Sequence, residues 1–253
     1  MVDIVVLVKV TYDPGSLKPD PTTGSPQFAA GQLKISEFDK HALEASSELK
    51  PKLGGGVVRA VIVGKPKAKE VLKEVLARGA DEAVFITIDD DIQDSSQIAF
   101  LLSAAVKLVD AGLVLASEAS VDSYSSTVGP MVAARLGWPV VSFATKIEPH
   151  GNGFKVEREG DDGTEVVEAQ GPAVITVNES MNKPKPPTLM QIVGAGKKKV
   201  TEVTASSLGS PPQTTKLESV KAVSKERKKV IISGAPDEAA AKLIDALAKE
   251  GVL

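Results

Sequence analysis

Between residues 117 and 131 the chain reads SEASVDSYSSTVGPM. Ser117, Ser120, Ser123, Ser125, Ser126 and Thr127 place six hydroxyls within eleven residues, with Asp122 and Tyr124 among them. An apolar helical pattern, Val132, Ala133 and Leu136, follows directly. Ser126, Thr127, Val128 and Gly129 are therefore expected to open a helix, where free N–H groups and the positive end of the helix dipole suit a phosphate. Hydroxyls add donors there without adding fixed charge. The competing explanation is a solvated loop with an ordinary Ser/Thr cap, but a cap needs only one hydroxyl.

Other reactive equipment is scarce. The 253 residues include two histidines and no cysteine, which removes disulfides, thiolate nucleophiles and thiolate-ligated metals and makes a histidine-based triad or metal site a poor fit. A net charge of −3, from 30 Lys+Arg against 33 Asp+Glu, argues against a general nucleic-acid binder. There is no GxxxxGK[ST] loop and no GxGxxG after the first strand, so nucleotide hydrolysis and the common dinucleotide fingerprint are unsupported. The N-terminus MVDIVVLVKV lacks the basic start of a secretion signal, and no apolar run approaches the roughly 18 residues of a membrane span. A cytoplasmic protein whose chemistry comes from something bound is expected.

The elements that must position the hydroxyl loop are regular. Residues 4–8, 57–63, 83–88, 113–116 and 139–143 are β-branched or apolar runs of strand length, the mark of strands buried on both faces. Helical periods separate them. Ser36 stands as the N-cap of a helix carrying Phe38, Ala42, Ala45 and Leu49, which Pro51 should stop. Pro66 opens a second helix that Gly79 closes, and Ser95 and Ser96 are candidate caps of a third that Gly112 stops. Five alternations of strand and helix predict an α/β fold, doubly wound around a mostly parallel sheet. Residues 153–158, 165–168 and 173–177, separated by Gly/Asp turns, suggest an antiparallel extension.

From Asn178 the pattern becomes irregular. The stretches NKPKPPTL and SLGSPPQTTK are too rich in Pro, Ser and Thr for regular elements, and only residues 237–247 read as helical again. The expected division is a nucleotide-binding α/β domain over residues 1–187, followed by a recognition segment and extended C-terminal arm over 188–253. Such an arm is expected to wrap a partner.

In a doubly wound sheet the ligand lies beyond the carboxyl ends of the strands, where strand order reverses. Gly64, ending the second strand, would let backbone approach an adenine or ribose, or is a plain turn. Phe38 reads first as core packing, and Asp39 as a carboxylate near the positive end of a helix dipole. His41 belongs on a helix face and His150 in a surface turn. Lys197, Lys198 and Lys199 could touch an anion, though a charge run is usually a solvated face.

Taken in order, VVLVKVTYDP, ISEFDKHALE, AVIVGKP, ARGADEAV, SVDSYSSTVGPMVAARLGWP, KVEREGDDGTEVVEAQGPAVITV and NKPKPPTLMQIVGAGKKKV carry a family pattern. The chain resembles, over essentially its whole length, the β subunit of the electron transfer flavoproteins. The resemblance implies an α-subunit partner that holds a redox FAD, and electron traffic between dehydrogenases and quinone-directed or ferredoxin-directed acceptors. It implies that the β subunit binds either AMP, structurally, or a second FAD in members that bifurcate electrons from NADH. Carried over by position, the nucleotide contacts fall on Leu7, Ser36, Phe38, Asp39, Val63, Gly64, Ser117, Glu118, Ala119 and Ser120. The phosphate end falls on Asp122, Tyr124, Ser125, Ser126, Thr127 and Val128. Leu189 corresponds to an exposed leucine that docks a partner dehydrogenase or quinone-reductase complex, and the arm embraces the α subunit. AMP-binding members carry Asn-Gln-Thr-Gly where this chain has Ser126, Thr127, Val128 and Gly129. The smaller side chains leave room beyond a first phosphate, so FAD is expected over AMP. A stand-alone adenine-nucleotide module is the rival from another class, and the arm speaks against it.

Overall fold

The computed structural model describes residues 1–211, 213–220 and 229–253. Pro212 and residues 221–228, part of the expected arm, lie outside the described residues. Two compact units are present, Met1–Val220 and Lys221–Leu253.

In the first unit the chain runs β1 (Ile4–Tyr12), β2 (Leu33–Ile35), α1 (Glu37–Lys52), β3 (Val58–Gly64), α2 (Leu72–Ala77), β4 (Glu82–Thr87), α3 (Ser95–Lys107), β5 (Leu113–Ser117) and α4 (Val128–Leu136). It continues through β6 (Val140–His150), β7 (Gly153–Gly160), β8 (Gly163–Ala169), β9 (Ala173–Val177), α5 (Leu189–Ala195), β10 (Val200–Thr204) and α6 (Ala205–Leu208). The second unit holds α7 (Pro236–Lys249), with proline at its first turn and Lys242 reaching back to the Ser233 carbonyl.

The sheet order is β10-β4-β3-β1-β5-β9-β6-β7-β8, with β2 pairing the end of β1. Every neighbour from β10 to β6 is parallel, while β6–β7 and β7–β8 are antiparallel. The run IVVLV explains the centre. Its alternate side chains feed two cores, Ile4, Val6 and Val8 packing with Leu43 and Leu49 of α1, and Val5 and Leu7 packing with Leu101 of α3 and Val132 of α4. Burying each such side chain stabilises the fold by about 1.5–3 kcal/mol before entropy is counted, so a strand apolar on both faces has no stable place but the middle.

The chain leaves β1 for β3 and β4, then returns to place β5 on the other side of β1. That reversal is the switch point, and a crevice is expected at the carboxyl ends of β1 and β5. The pairing shows it opening: β1 and β5 stay in register only from Ile4↔Leu113 to Val6↔Leu115, whereas β5 follows β9 to Ser117↔Val177.

Several expectations are corrected. Residues 173–177 are not part of the antiparallel extension; β9 lies parallel between β5 and β6, fully buried. A strand apolar at all five positions needs both faces covered, and only the interior of the parallel sheet offers that. Pro51 does not stop α1, which runs to Lys52, because only the helix's last turn would lose a bond to it. The cap of α3 is Asp94, whose side chain accepts the Ser96 N–H at 2.8 Å, not Ser95 or Ser96. The stretch after Asn178 is less irregular than its composition suggests: α5 packs near α2, and β10 adds a parallel edge strand to β4.

Phe143 carries a left-handed φ of 62°, uncommon for a bulky side chain. It sits where β6 shifts register against β9 between Val141 and Ala144, and its N–H donates to the Thr176 hydroxyl at 3.0 Å. This bulge lets β6 leave its parallel neighbour and begin the antiparallel ribbon.

Candidate functional site

Three elements meet at the switch point through one carboxylate. Asp39, in the first turn of α1, is 3% exposed. One of its oxygens accepts the backbone N–H of Lys9 on β1 at 2.6 Å, and the other is the hydrogen-bond partner of the Ser117 hydroxyl at the end of β5. Burial pushes the Asp39 carboxyl up to about 7; the hydrogen bonds from Ser117 and Lys9 and the Lys9 charge pull the other way. The Ser36 hydroxyl does not cap α1 as expected. Ser36 is fully buried, and its hydroxyl accepts the Val121 N–H at 3.4 Å, tying the helix start to the hydroxyl loop instead.

Lys9 is the site residue that sequence reasoning missed. Its ammonium donates to Asp122 at 2.8 Å and to Ser120 at 3.3 Å across the crevice. The Ser120 hydroxyl and the Ser123 N–H also donate to Asp122, at 2.7 and 2.8 Å. Burial raises the Asp122 carboxyl, but these donors outweigh it and hold it below the usual range. The available signal was a lone lysine directly after the apolar run of residues 4–8.

The end of the loop has an unusual backbone. Ser126 has a left-handed φ of 52°, and Thr127 follows at φ −106°, ψ −29°, in the right-handed region. A left-handed residue followed by a right-handed one turns successive N–H groups toward one concave spot. Here that spot lies at the start of α4, whose first residue is Val128. The N–H groups of Ser126, Thr127 and Val128 have no acceptor among the described residues. The loop is solvated from Asp122 to Ser125, but it carries no ordinary cap: Thr127 occupies the cap position, yet its hydroxyl donates to Ser125 at 3.1 Å and makes no cap bond. Gly129 lets the helix start close on the sheet, since a Cβ there would lie 2.6 Å from the Thr176 methyl of β9.

Tyr124, also left-handed at φ 47°, is exposed, and its ring meets Phe38 edge-on with centroids 5.7 Å apart. Phe38 is half-buried and belongs to neither core. Leu7 is buried in the second core, beneath the crevice, and Val63 pairs with Lys9 across β1 and β3. Gly64 answers to its own fold, because a Cβ would lie 2.8 Å from Ala68. Ala119 is buried behind the loop. Glu118 turns away: it accepts from the Asn178 side chain at 2.7 Å, and burial raises its carboxyl.

A separate hollow of about 450 Å³ opens among Asp3, Asp110, Gly112, Gly153 and Phe154, at the amino ends of β1, β5 and β7. It is acidic, with the Asp3 carboxylate committed to Arg59 at 2.6 Å.

The electron transfer flavoprotein domain family matches residues 28–208. The electron transfer flavoprotein subunit beta of Bacillus subtilis is 31% identical over 98% of both chains. Its counterpart in Clostridium acetobutylicum is also 31% identical over 98% of both, and that of Thermoanaerobacterium thermosaccharolyticum is 30% identical over 99% of this chain and all of its own. The chain belongs to the electron transfer flavoprotein β-subunit family.

Other residues that the sequence singled out lie away from the crevice. Lys198, within the basic run, donates to the Leu76 and Ala80 carbonyls at 2.9 and 2.7 Å and so caps α2 rather than meeting an anion. Leu189, at the start of α5, is 75% exposed beside Met190 at 87%. Thr188 and Gln191 form a reciprocal capping box that fixes this helix start. No helix among the described residues is long and apolar enough to cross a membrane.

Proposed function

We propose that this chain is the β subunit of a heterodimeric electron transfer flavoprotein that binds FAD in the switch-point crevice. The observation that carries the proposal is the set of N–H groups at Ser126–Val128 heading α4, which have no acceptor among the described residues. It fits a phosphate, and the absence of longer side chains at positions 126–128 fits a pyrophosphate better than a single phosphate. Ser125, Ser126, Thr127 and Val128 would hold the phosphates. Lys9 neutralises Asp122, which would otherwise repel them, and Phe38 and Tyr124 border the crevice with aromatic surface. When bound, FAD supplies the hydride and electron chemistry that the side chains lack, with NADH as donor in a bifurcating assembly. The protein's part is to orient the cofactor, exclude water from its phosphate end and set the local charge.

Family membership implies an α subunit, and in this proposal that subunit holds the other FAD. Residues 188–253 contribute the recognition segment around Leu189 and the arm that embraces the α subunit. The location is the cytoplasm, and the acceptors are ferredoxin- or quinone-directed. The second reading is an AMP-binding, non-bifurcating β subunit that scaffolds the α-subunit flavin; the same N–H groups at the start of α4 also suit a single phosphate. Counting cofactors in the purified αβ complex separates them. Two FAD per heterodimer, with NADH-dependent reduction of both, supports the first; one FAD and one AMP overturns it.

A further inference from the structure

Ser117 Oγ sits between two oxygens. It is the hydrogen-bond partner of Asp39 Oδ1 and also lies 2.7 Å from the Ala119 carbonyl. A hydroxyl has one proton to give. With Asp39 ionised, both neighbours are acceptors and one must go without. Ala119 is 7% exposed, so water does not readily replace the missing donor. With a proton on Oδ1, the chain is complete: Asp39 donates to Ser117, Ser117 donates to Ala119, and the other Asp39 oxygen still accepts the Lys9 N–H.

The surrounding charges do not neutralise an ionised Asp39. From β1 it receives only the Lys9 N–H directly, because the Lys9 ammonium is turned to Asp122 and Ser120. From the hydroxyl loop, Asp122 is a like charge and Glu118 is engaged with Asn178. On α1 itself Glu37 is shared by Lys40 and by Lys34 of β2. The short turn 179–181 brings only Glu179. Burial therefore dominates, in the direction already described.

We propose that Asp39 is a neutral carboxylic acid that positions the start of the nucleotide loop, and that its loss of a proton weakens binding of an anionic nucleotide. Asp39 is thus a positioning residue, acting through Ser117. Ionisation does two things at once: it breaks the donor chain that fixes the turn at residues 117–119, and it places a negative charge at the base of the loop that ends in the anion-directed N–H groups. The second clause of the proposal rests on the nucleotide reading of the loop; the first does not.

The test uses the full-length chain, wild type and Asp39→Asn. The amide has both functions of the acid, Oδ1 accepting from Lys9 and Nδ2 donating to Ser117, but it cannot ionise. FAD is the probe, since phosphate monoesters such as AMP change charge near pH 6 and would confound the profile. Wild-type affinity for FAD should fall roughly threefold to tenfold from about pH 5.5 to about pH 8.5, as expected for one added charge at intermediate screening. Asp39→Asn should show no such fall. Carbon-13 titration of the aspartate carboxyls, without ligand, should show one near-neutral midpoint that Asp39→Asn abolishes. A midpoint in the ordinary acidic range overturns the proposal whether or not FAD binds. A near-neutral midpoint with identical FAD profiles in both proteins overturns the coupling to the nucleotide. A near-neutral midpoint in a protein that binds neither FAD nor AMP upholds the acid and overturns the nucleotide reading.

Discussion

Thr214 donates both its backbone N–H and its hydroxyl to the same carboxylate oxygen of Asp94, and the Thr215 N–H joins them at 2.8 Å. The other Asp94 oxygen caps α3 through Ser96. One carboxylate therefore starts a helix and ties down a stretch 120 residues later in sequence. Burial would raise this carboxyl, but the four donors outweigh it and hold it well below the usual range. A depressed pKa stabilises above the unfolded value and is lost only as pH falls through the folded one. The tie should thus persist through mildly acidic conditions. Asp94→Ala is expected to accelerate protease cleavage within residues 209–220 several-fold at neutral pH, read by mass spectrometry of the fragments. An unchanged cleavage rate would show that the segment is held elsewhere.

How far the sequence foretold this arrangement follows from the range of the interactions. The central strands were legible because runs such as IVVLV and VIV are buried on both sides, which is a local property of the chain. Val200–Thr204 was not, because VTEVT follows three lysines and becomes a strand only by pairing with β4 at the sheet edge. The placement of Ala173–Val177 depends on a pairing with Leu113–Ser117 that no local pattern encodes. At the site, hydroxyl density pointed to the loop, but the burial of Asp39 and the reach of Lys9 arise only when β1, β5 and α1 converge.

Gly129→Ala tests the close approach of α4 to β9. A methyl 2.6 Å from the Thr176 side chain must force one of them to move, and overpacking of this kind costs about 1–3 kcal/mol. Chemical denaturation should show that loss, with a matching fall in cofactor content as the N–H groups at the helix start shift. A variant of unchanged stability would mean that Thr176 yields freely.

Thr127→Asp places a carboxylate at the cap position of α4. As a cap it should favour the helix, so stability is expected to hold or rise slightly. As a charge it opposes a phosphate at the same N–H groups, and FAD affinity should fall by roughly tenfold or more. The opposed signs are informative. Full cofactor occupancy in this variant would show that the phosphates lie elsewhere.

Lys9→Met removes the ammonium that joins Asp122 and Ser120. The pair is half-exposed, with both side chains at 45%, so stability should change by less than about 1 kcal/mol. Nucleotide affinity should drop several-fold, because Asp122 is then left to repel the phosphate end. Asp122→Asn in the same background should restore part of the loss in an equilibrium binding assay. No recovery would indicate that Lys9 contacts the ligand directly.

Leu189 and Met190 stand exposed on a helix of seven residues whose start is fixed by Thr188 and Gln191. Leu189 and Met190 are 75% and 87% exposed, apolar area left uncovered among the described residues, while the capping box stabilises the helix start that holds their direction. Those two facts together fit a docking knob better than a fraying end. Leu189→Ala removes most of that apolar contact without touching the cap or the crevice. Electron transfer from a partner dehydrogenase should slow by about tenfold or more, in keeping with the loss of a buried leucine contact of about 1.5–3 kcal/mol. Cofactor content and thermal stability should stay as in the wild type. Equal rates for the two proteins, measured at partner concentrations below saturation, would place the docking surface elsewhere.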